Sequence, residues 1–279
     1  MESNFSPFRS FLSQRRSVLK KSVPYASKTP GPDGLYHYDA EETSVWHDLY
    51  LRQMANLEGF ACRAYLTGQA KLGFSPDAVP QVREVHARLQ KITGAGVEPV
   101  AALIPQDAFS TLLKNRHFPV ATFIRRREHI DYIEEPDIFH EVFGHCPMLT
   151  NEDVCTFFEK FGAFALSLPE QYLPHLFRLF WFTVEFGLIR EDGRLKAFGA
   201  GIMSSPSEAA HADSDAADTL PFDLLTILRT PYRIDIVQPV YFVLESFEQL
   251  AASLDQDIRG LIERAQAMGD LPARFDAAA

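Results

Sequence analysis

Cysteine is scarce, long apolar runs are missing, and basic residues are outnumbered by acidic ones. Three cysteines occur in 279 residues: Cys62, Cys146 and Cys155. So sparse and odd a set excludes a disulfide framework and points to a reducing, cytoplasmic location. No stretch reaches the ~18 consecutive apolar residues of a membrane-spanning helix, so no membrane partner is expected. A net charge of −10 argues against nucleic acid as a partner, because phosphate backbones are met by basic surfaces.

Apolar bulk is plentiful. The chain is 46% hydrophobic with 23 phenylalanines, enough for the core of one large domain. The charge is uneven: residues 1–32 hold six basic residues against Glu2 alone, a local +5 that leaves −15 for the rest. QRRSVLKKS superficially resembles a twin-arginine export signal, but VPYASKTPGPDG follows where an apolar stretch is required. Residues 1–35 are therefore expected to form a basic, disordered arm and linker. A single domain is expected over 36–270, and a short tail over 271–279.

Apolar spacing predicts helices over 41–69, 107–116, 151–168, 174–189 and 245–268, and another within 74–93 capped by Ser75 or Asp77. Strand character falls on 119–125 and 233–243, a small hairpin or loop on 193–205, and a polar surface loop on 206–219. The expected fold class is mainly α with small β elements, α+β.

Within DIFHEVFGHCP, residues 137–147, His140 and His145 stand five apart. Zinc hydrolases place two histidines four apart on one helix face. Five residues turn a regular helix by about 500°, which leaves the pair about 140° off-face. Both can reach one metal only if the helix ends or distorts between them, and Gly144 and Pro147 favour such a break. Glu185 lies in LFWFTVEFGLI, where a carboxylate is costly unless paired or metal-bound. It points to solvent, pairs with an arginine such as Arg178, or completes a metal site. Two histidines and a carboxylate make the facial triad of non-haem Fe(II) oxygenases. The alternative is a zinc hydrolase with Glu141 as base beside His140 and His145.

PDIFHEVFGHCP, 136–147, followed by WFTVEFG, 181–187, resembles the pterin-dependent aromatic amino acid hydroxylases. HYDAEETSVWHDLY, KAFGAGIMSS and QPVYFVLESF extend the resemblance over about residues 35–255. It implies a mainly helical catalytic domain with Fe(2+) in a helical basket, held by His140, His145 and Glu185. It also implies tetrahydrobiopterin or another tetrahydropterin as cosubstrate. Arg125 would clamp the substrate carboxylate, oriented by Asp137, while Pro136 and Trp181 would line the ring pocket. Ser204 would stand beside the substrate and a ligand histidine. Phe109 would stack on the pterin, with Ala102, Ile104, Gln106, Glu141 and Phe180 on the same side. Gln106 replaces a small hydroxyl residue of animal members, and Phe180 a tyrosine of many relatives. Ile234 matches a position that is apolar in the phenylalanine-specific members and acidic in the tyrosine-specific ones. The short form resembles the bacterial phenylalanine 4-hydroxylases and implies a monomer acting on small molecules: L-phenylalanine, O2 and pterin. Tryptophan 5-hydroxylation is the second reading within the family.

Overall fold

The computed structural model describes residues 25–101, 104–133 and 135–275. Ala102 and the first 24 residues of the arm lie outside the described residues. Within the stretch expected to be arm and linker, Tyr25 and Ser27 touch the rest of the chain. The Tyr25 ring stacks on Phe123 at 4.9 Å. Ser27 Oγ donates to the Val100 carbonyl at 2.6 Å and accepts from the Thr122 amide at 3.0 Å. One small hydroxyl thus satisfies two backbone groups at neighbouring strand ends.

The helix Ala40–Asn56 opens with a reciprocal cap between Asp39 and Glu42 and buries Val45, Trp46, Leu49 and Gln53. The single helix expected over 41–69 is in fact two. Gly59 turns with φ +73, and Phe60 and Cys62 exchange backbone hydrogen bonds with Ala197 at 2.9 Å. A second helix, Arg63–Leu72, then starts from Cys62. Neither Ser75 nor Asp77 caps the next helix, Val82–Ile92, which follows Gln81 without a side-chain cap. Gln81 is instead tied to the Tyr36 backbone, at 2.8 and 3.0 Å.

Strands β1 (Gly96–Val100) and β2 (His117–Ala121) pair in parallel, with the helix Gln106–Lys114 as their crossover. The helix Glu152–Ser167 begins at Asn151, whose side chain accepts from the Asp153 and Val154 amides. The helix Leu173–Phe180 follows. Strands β3 (Leu188–Glu191) and β4 (Arg194–Ala197) form a hairpin whose turn residues, Asp192 and Gly193, both have positive φ. With β5 (Asp218–Pro221) and β6 (Val240–Leu244) they make a four-stranded sheet in the order β4-β3-β6-β5.

Three further expectations are corrected. The segment 206–219 is no mere surface loop: Ser205 caps a helix, Pro206–Ala212, and Glu208 within it is buried. The strand predicted over 233–243 shrinks to β6, and residues 233–238 run irregularly beside the cleft described below. The last helix divides into Phe247–Ser253 and Ile258–Met268, capped by Ser246 and Asp257.

Phe139, Phe143, Phe157, Phe158, Phe161, Phe182 and Phe242 are fully buried. Each contributes about 1.5–3 kcal/mol by leaving water. All three cysteines are buried and free. Among the described residues, no helix is long and apolar enough to cross a membrane.

Candidate active site

His140 and His145 lie on one π-helical segment, Phe139–His145. A π turn closes residue i on i+5, so residues five apart stand one above the other. The expected distortion is present, but as a widened turn rather than a frayed end. The two Nε2 atoms are 3.2 Å apart. Glu185 closes a second π-helical segment, Trp181–Glu185. Its carboxylate oxygens lie 3.6 Å from His140 Nε2 and 3.5 Å from His145 Nε2. Arg178, the alternative partner for Glu185, makes a bidentate pair with Asp270 at 2.6 and 2.8 Å instead. Glu141 also offers a carboxylate, 4.0 Å from His145 Nε2. Glu185 addresses both imidazoles at shorter range, which makes it the better third donor.

Gly144 does not end the helix. A Cβ there would meet the Ala200 carbonyl at 3.0 Å and Ala200 Cβ at 3.1 Å. At Gly199 a Cβ would lie 2.4 Å from the Glu185 carbonyl. Both glycines let the short helix Ala200–Ser204 press against the two π turns. That approach carries Ser204 Oγ to 2.8 Å from His140 Nδ1. Ser204 donates its own proton to the Ala200 carbonyl at 2.8 Å, so it accepts from Nδ1–H. The tautomer of His140 is thereby fixed with its lone pair on Nε2. Two imidazole nitrogens and a carboxylate converging this closely fit a divalent transition metal, iron among them.

Beside this trio, Arg125 and Asp137 form a buried pair. Arg125 donates to the Asp137 carboxylate from Nε at 2.8 Å, from Nη2 at 2.9 Å and from its backbone N at 2.9 Å. The His140 amide adds a fourth donor at 3.0 Å. Burial by itself would raise Asp137, but the Arg125 charge and these donors outweigh it and hold the carboxyl below its usual range.

A cleft of about 280 Å³ opens over His140 and Glu185 and is walled by Arg125, Pro136, Trp181, Ser204 and Ile234. Trp181 donates from Nε1 to Gln238 Oε1 at 2.9 Å and lies flat on Tyr232, ring centres 4.6 Å apart. Among the described residues lining the cleft, Phe109, Ile104, Gln106, Glu141 and Phe180 are not found. Phe109 packs edge-on against Phe180 at 5.7 Å and against Phe118 at 6.3 Å. Phe118 in turn lies 4.2 Å from the His145 ring, so an aromatic chain links Phe109 to the trio from behind. Ile104 and Gln106 sit half-buried at the start of the crossover helix.

Sequence reasoning missed Phe118, Tyr232, Gln238 and Glu208. For Glu208 a signal existed: Ser205-x-x-Glu208 has the spacing of a helix-start motif. Ser205 does cap there, but the Glu208 side chain turns inward.

A mainly helical domain in which two imidazoles and a carboxylate converge beside a cleft has the donor set of a mononuclear metal enzyme. The chain belongs to the biopterin-dependent aromatic amino acid hydroxylases, whose family description matches residues 8–267. It is an oxidoreductase of the monooxygenase type, and the zinc-hydrolase alternative falls away. A phenylalanine-4-hydroxylase of Vibrio cholerae is 46% identical over 252 residues, covering 90% of this chain and 87% of the relative. The solved phenylalanine hydroxylase of Legionella pneumophila superposes with a TM-score of 0.87 at 45% identity, covering 90% of this chain and 100% of that one. A Chromobacterium violaceum phenylalanine hydroxylase structure with bound oxidized Fe(III) superposes with a TM-score of 0.83 at 36% identity, covering 96% and 97%.

Proposed function

We propose that this chain is a phenylalanine 4-monooxygenase, converting L-phenylalanine to L-tyrosine with O2 and a tetrahydropterin. In this reading His140, His145 and Glu185 hold Fe(2+). The observation that carries it is the convergence of these three side chains beside a cleft that His140, Glu185 and Arg125 line. Iron with open coordination positions supplies the redox chemistry that ground-state O2 needs, and the pterin supplies two electrons.

The chain's own residues bind and orient. Asp137 occupies Nε and Nη2 of Arg125 and fixes the guanidinium plane, leaving its other N–H groups for the substrate carboxylate. Trp181 and Pro136 flank the ring. Ile234 presents an apolar wall, against which the hydroxyl of tyrosine would be desolvated without a partner. The adjacent Asp235 is engaged by Arg233 at 2.7 and 3.0 Å, which supports phenylalanine over tyrosine. Ser204 keeps the His140 lone pair on Nε2. Phe109 offers a stacking face for the pterin, with Ala102, Ile104, Gln106, Glu141 and Phe180 as its surroundings.

The direct test is product analysis with Fe(II), O2 and tetrahydropterin, offering phenylalanine, tryptophan and tyrosine in parallel. Tyrosine from phenylalanine, dependent on all three additions, is the expected result. Hydroxytryptophan as the main product would reassign the substrate, and no product from iron-loaded protein would defeat the reading. A cytoplasmic monomer belongs to the same reading, and light scattering at working concentration tests the monomer.

A further inference from the structure

We propose that Glu208 is a positioning residue that locks the ring-binding wall of the cleft, and so sets which aromatic side chain is accepted. Glu208 sits on the Pro206–Ala212 helix with 5% exposure, at the cleft margin. It makes no ion pair among the described residues. Both its oxygens instead take the backbone N–H of Gln238, at 3.0 and 3.3 Å, and Oε1 also takes the Tyr241 hydroxyl at 2.7 Å. A carboxylate buried on neutral donors costs desolvation, so its presence calls for an account in terms of what it holds.

What it holds is a hub. Gln238 is 1% exposed and uses its whole side chain. Its amide donates to the Arg233 and Ile236 carbonyls, both at 2.9 Å, and its carbonyl accepts from Trp181 Nε1 at 2.9 Å. The first two bonds fold residues 233–236 into the loop that carries Ile234. The third sets the rotation of the Trp181 indole. Tyr232, from the same loop, backs that indole face to face. Two walls of the cleft, on separate elements, therefore share one anchor, and Glu208 fixes that anchor from a third element. Without Glu208, the Gln238 N–H loses its acceptor in a dry environment and the loop must move to find another.

The selectivity half of this inference rests on the proposed function; the positional half does not. The experiment uses the full chain labelled with fluorotryptophan, which gives two fluorine resonances, from Trp46 and Trp181. Trp181→Phe assigns them. In Glu208→Ala the Trp181 resonance should shift or broaden while that of Trp46, in the core, stays in place. Glu208→Gln keeps an acceptor oxygen and should restore the wild-type Trp181 line. Under turnover, Glu208→Ala should raise the phenylalanine KM more than it lowers kcat. It should also narrow the preference for phenylalanine over tryptophan by about tenfold, the scale of one lost buried hydrogen-bond partner. Should Glu208→Ala not fold, Gln238→Met removes the Trp181 acceptor directly and is read the same way. An unmoved Trp181 resonance together with an unchanged substrate preference would overturn the lock. If the wild type hydroxylated no aromatic amino acid, the proposed function would fail, yet the fluorine spectra would still judge the lock.

Discussion

Arg125 and Asp137 pose the sharpest question at the scale of single residues, because each is buried and each needs the other. Removing one charge of a buried pair leaves its partner uncompensated, at a typical cost of about 3–5 kcal/mol. Asp137→Asn should therefore lower thermal stability and raise the phenylalanine KM together. Arg125→Lys keeps a charge but cannot reproduce the fork that Asp137 grips through Nε and Nη2. It should raise KM at least about tenfold, with kcat less affected, since only carboxylate placement is lost. Saturation kinetics unchanged in Arg125→Lys would remove this arginine from the substrate site. His145→Ala should abolish metal uptake while leaving the far-UV spectrum helical, and full metal occupancy in that variant would undo the ligand assignment. These residues were legible because the sequence places them inside long, ordered motifs. Gln238 was not, and for Glu208 only the helix start was: the contact between the two, 30 positions apart, is encoded by no local pattern.

At the scale of elements, the two π turns are what the five-residue histidine spacing requires. A helical pattern was readable from 137 onward, but the widened turn was not, since apolar periodicity alone does not distinguish i+4 from i+5 closure. The same limit hid the interruption at 57–62, where Ala197 competes with the helix for backbone partners. A π turn leaves a carbonyl displaced from the regular ladder, and here an outside side chain meets it. The Tyr65 hydroxyl, on the Arg63–Leu72 helix, donates to the Phe143 carbonyl at 2.8 Å, between the two histidines. Gln69 donates to the Tyr65 oxygen at 2.8 Å and reaches the same carbonyl only at 3.5 Å. Tyr65→Phe should thus cost about 1–3 kcal/mol, the range for a buried group that loses its partner. It should also weaken metal binding, because the turn that aligns His140 over His145 is less well held. Titration of the apo-protein with Co(II), followed by absorbance, reads that affinity. A wild-type affinity in Tyr65→Phe would show that the turn is set by packing alone.

For the whole molecule, Glu208 couples the cleft wall to folding through protons. Burial raises its carboxyl from the ordinary value of 4.5 to about 7, against the lowering effect of the Tyr241 and Gln238 hydrogen bonds. Between these two values the unfolded chain has released the proton and the folded chain still holds it. Stability from this group is therefore complete below pH 4.5 and is lost as pH rises through about 7. The shift corresponds to about 3 kcal/mol at most, or several degrees in Tm for a chain of this length. Glu208→Gln cannot ionise and keeps an acceptor for Gln238, so it lacks this slope. The Tm advantage of Glu208→Gln over the wild type should be smallest near pH 5, grow through pH 7 and level off above it. Metal is chelated throughout so that histidine protonation at the ligand trio does not enter. Carboxylates shared by both proteins, such as Asp131, Glu135 and Asp235 at the cleft, cancel in the comparison, as does His211 beside Tyr241. Parallel Tm curves would mean that the Glu208 carboxyl keeps its ordinary proton affinity in the folded chain. A widening gap would show that the group fixing Gln238, and through it Trp181, does so at a cost that rises across the neutral range.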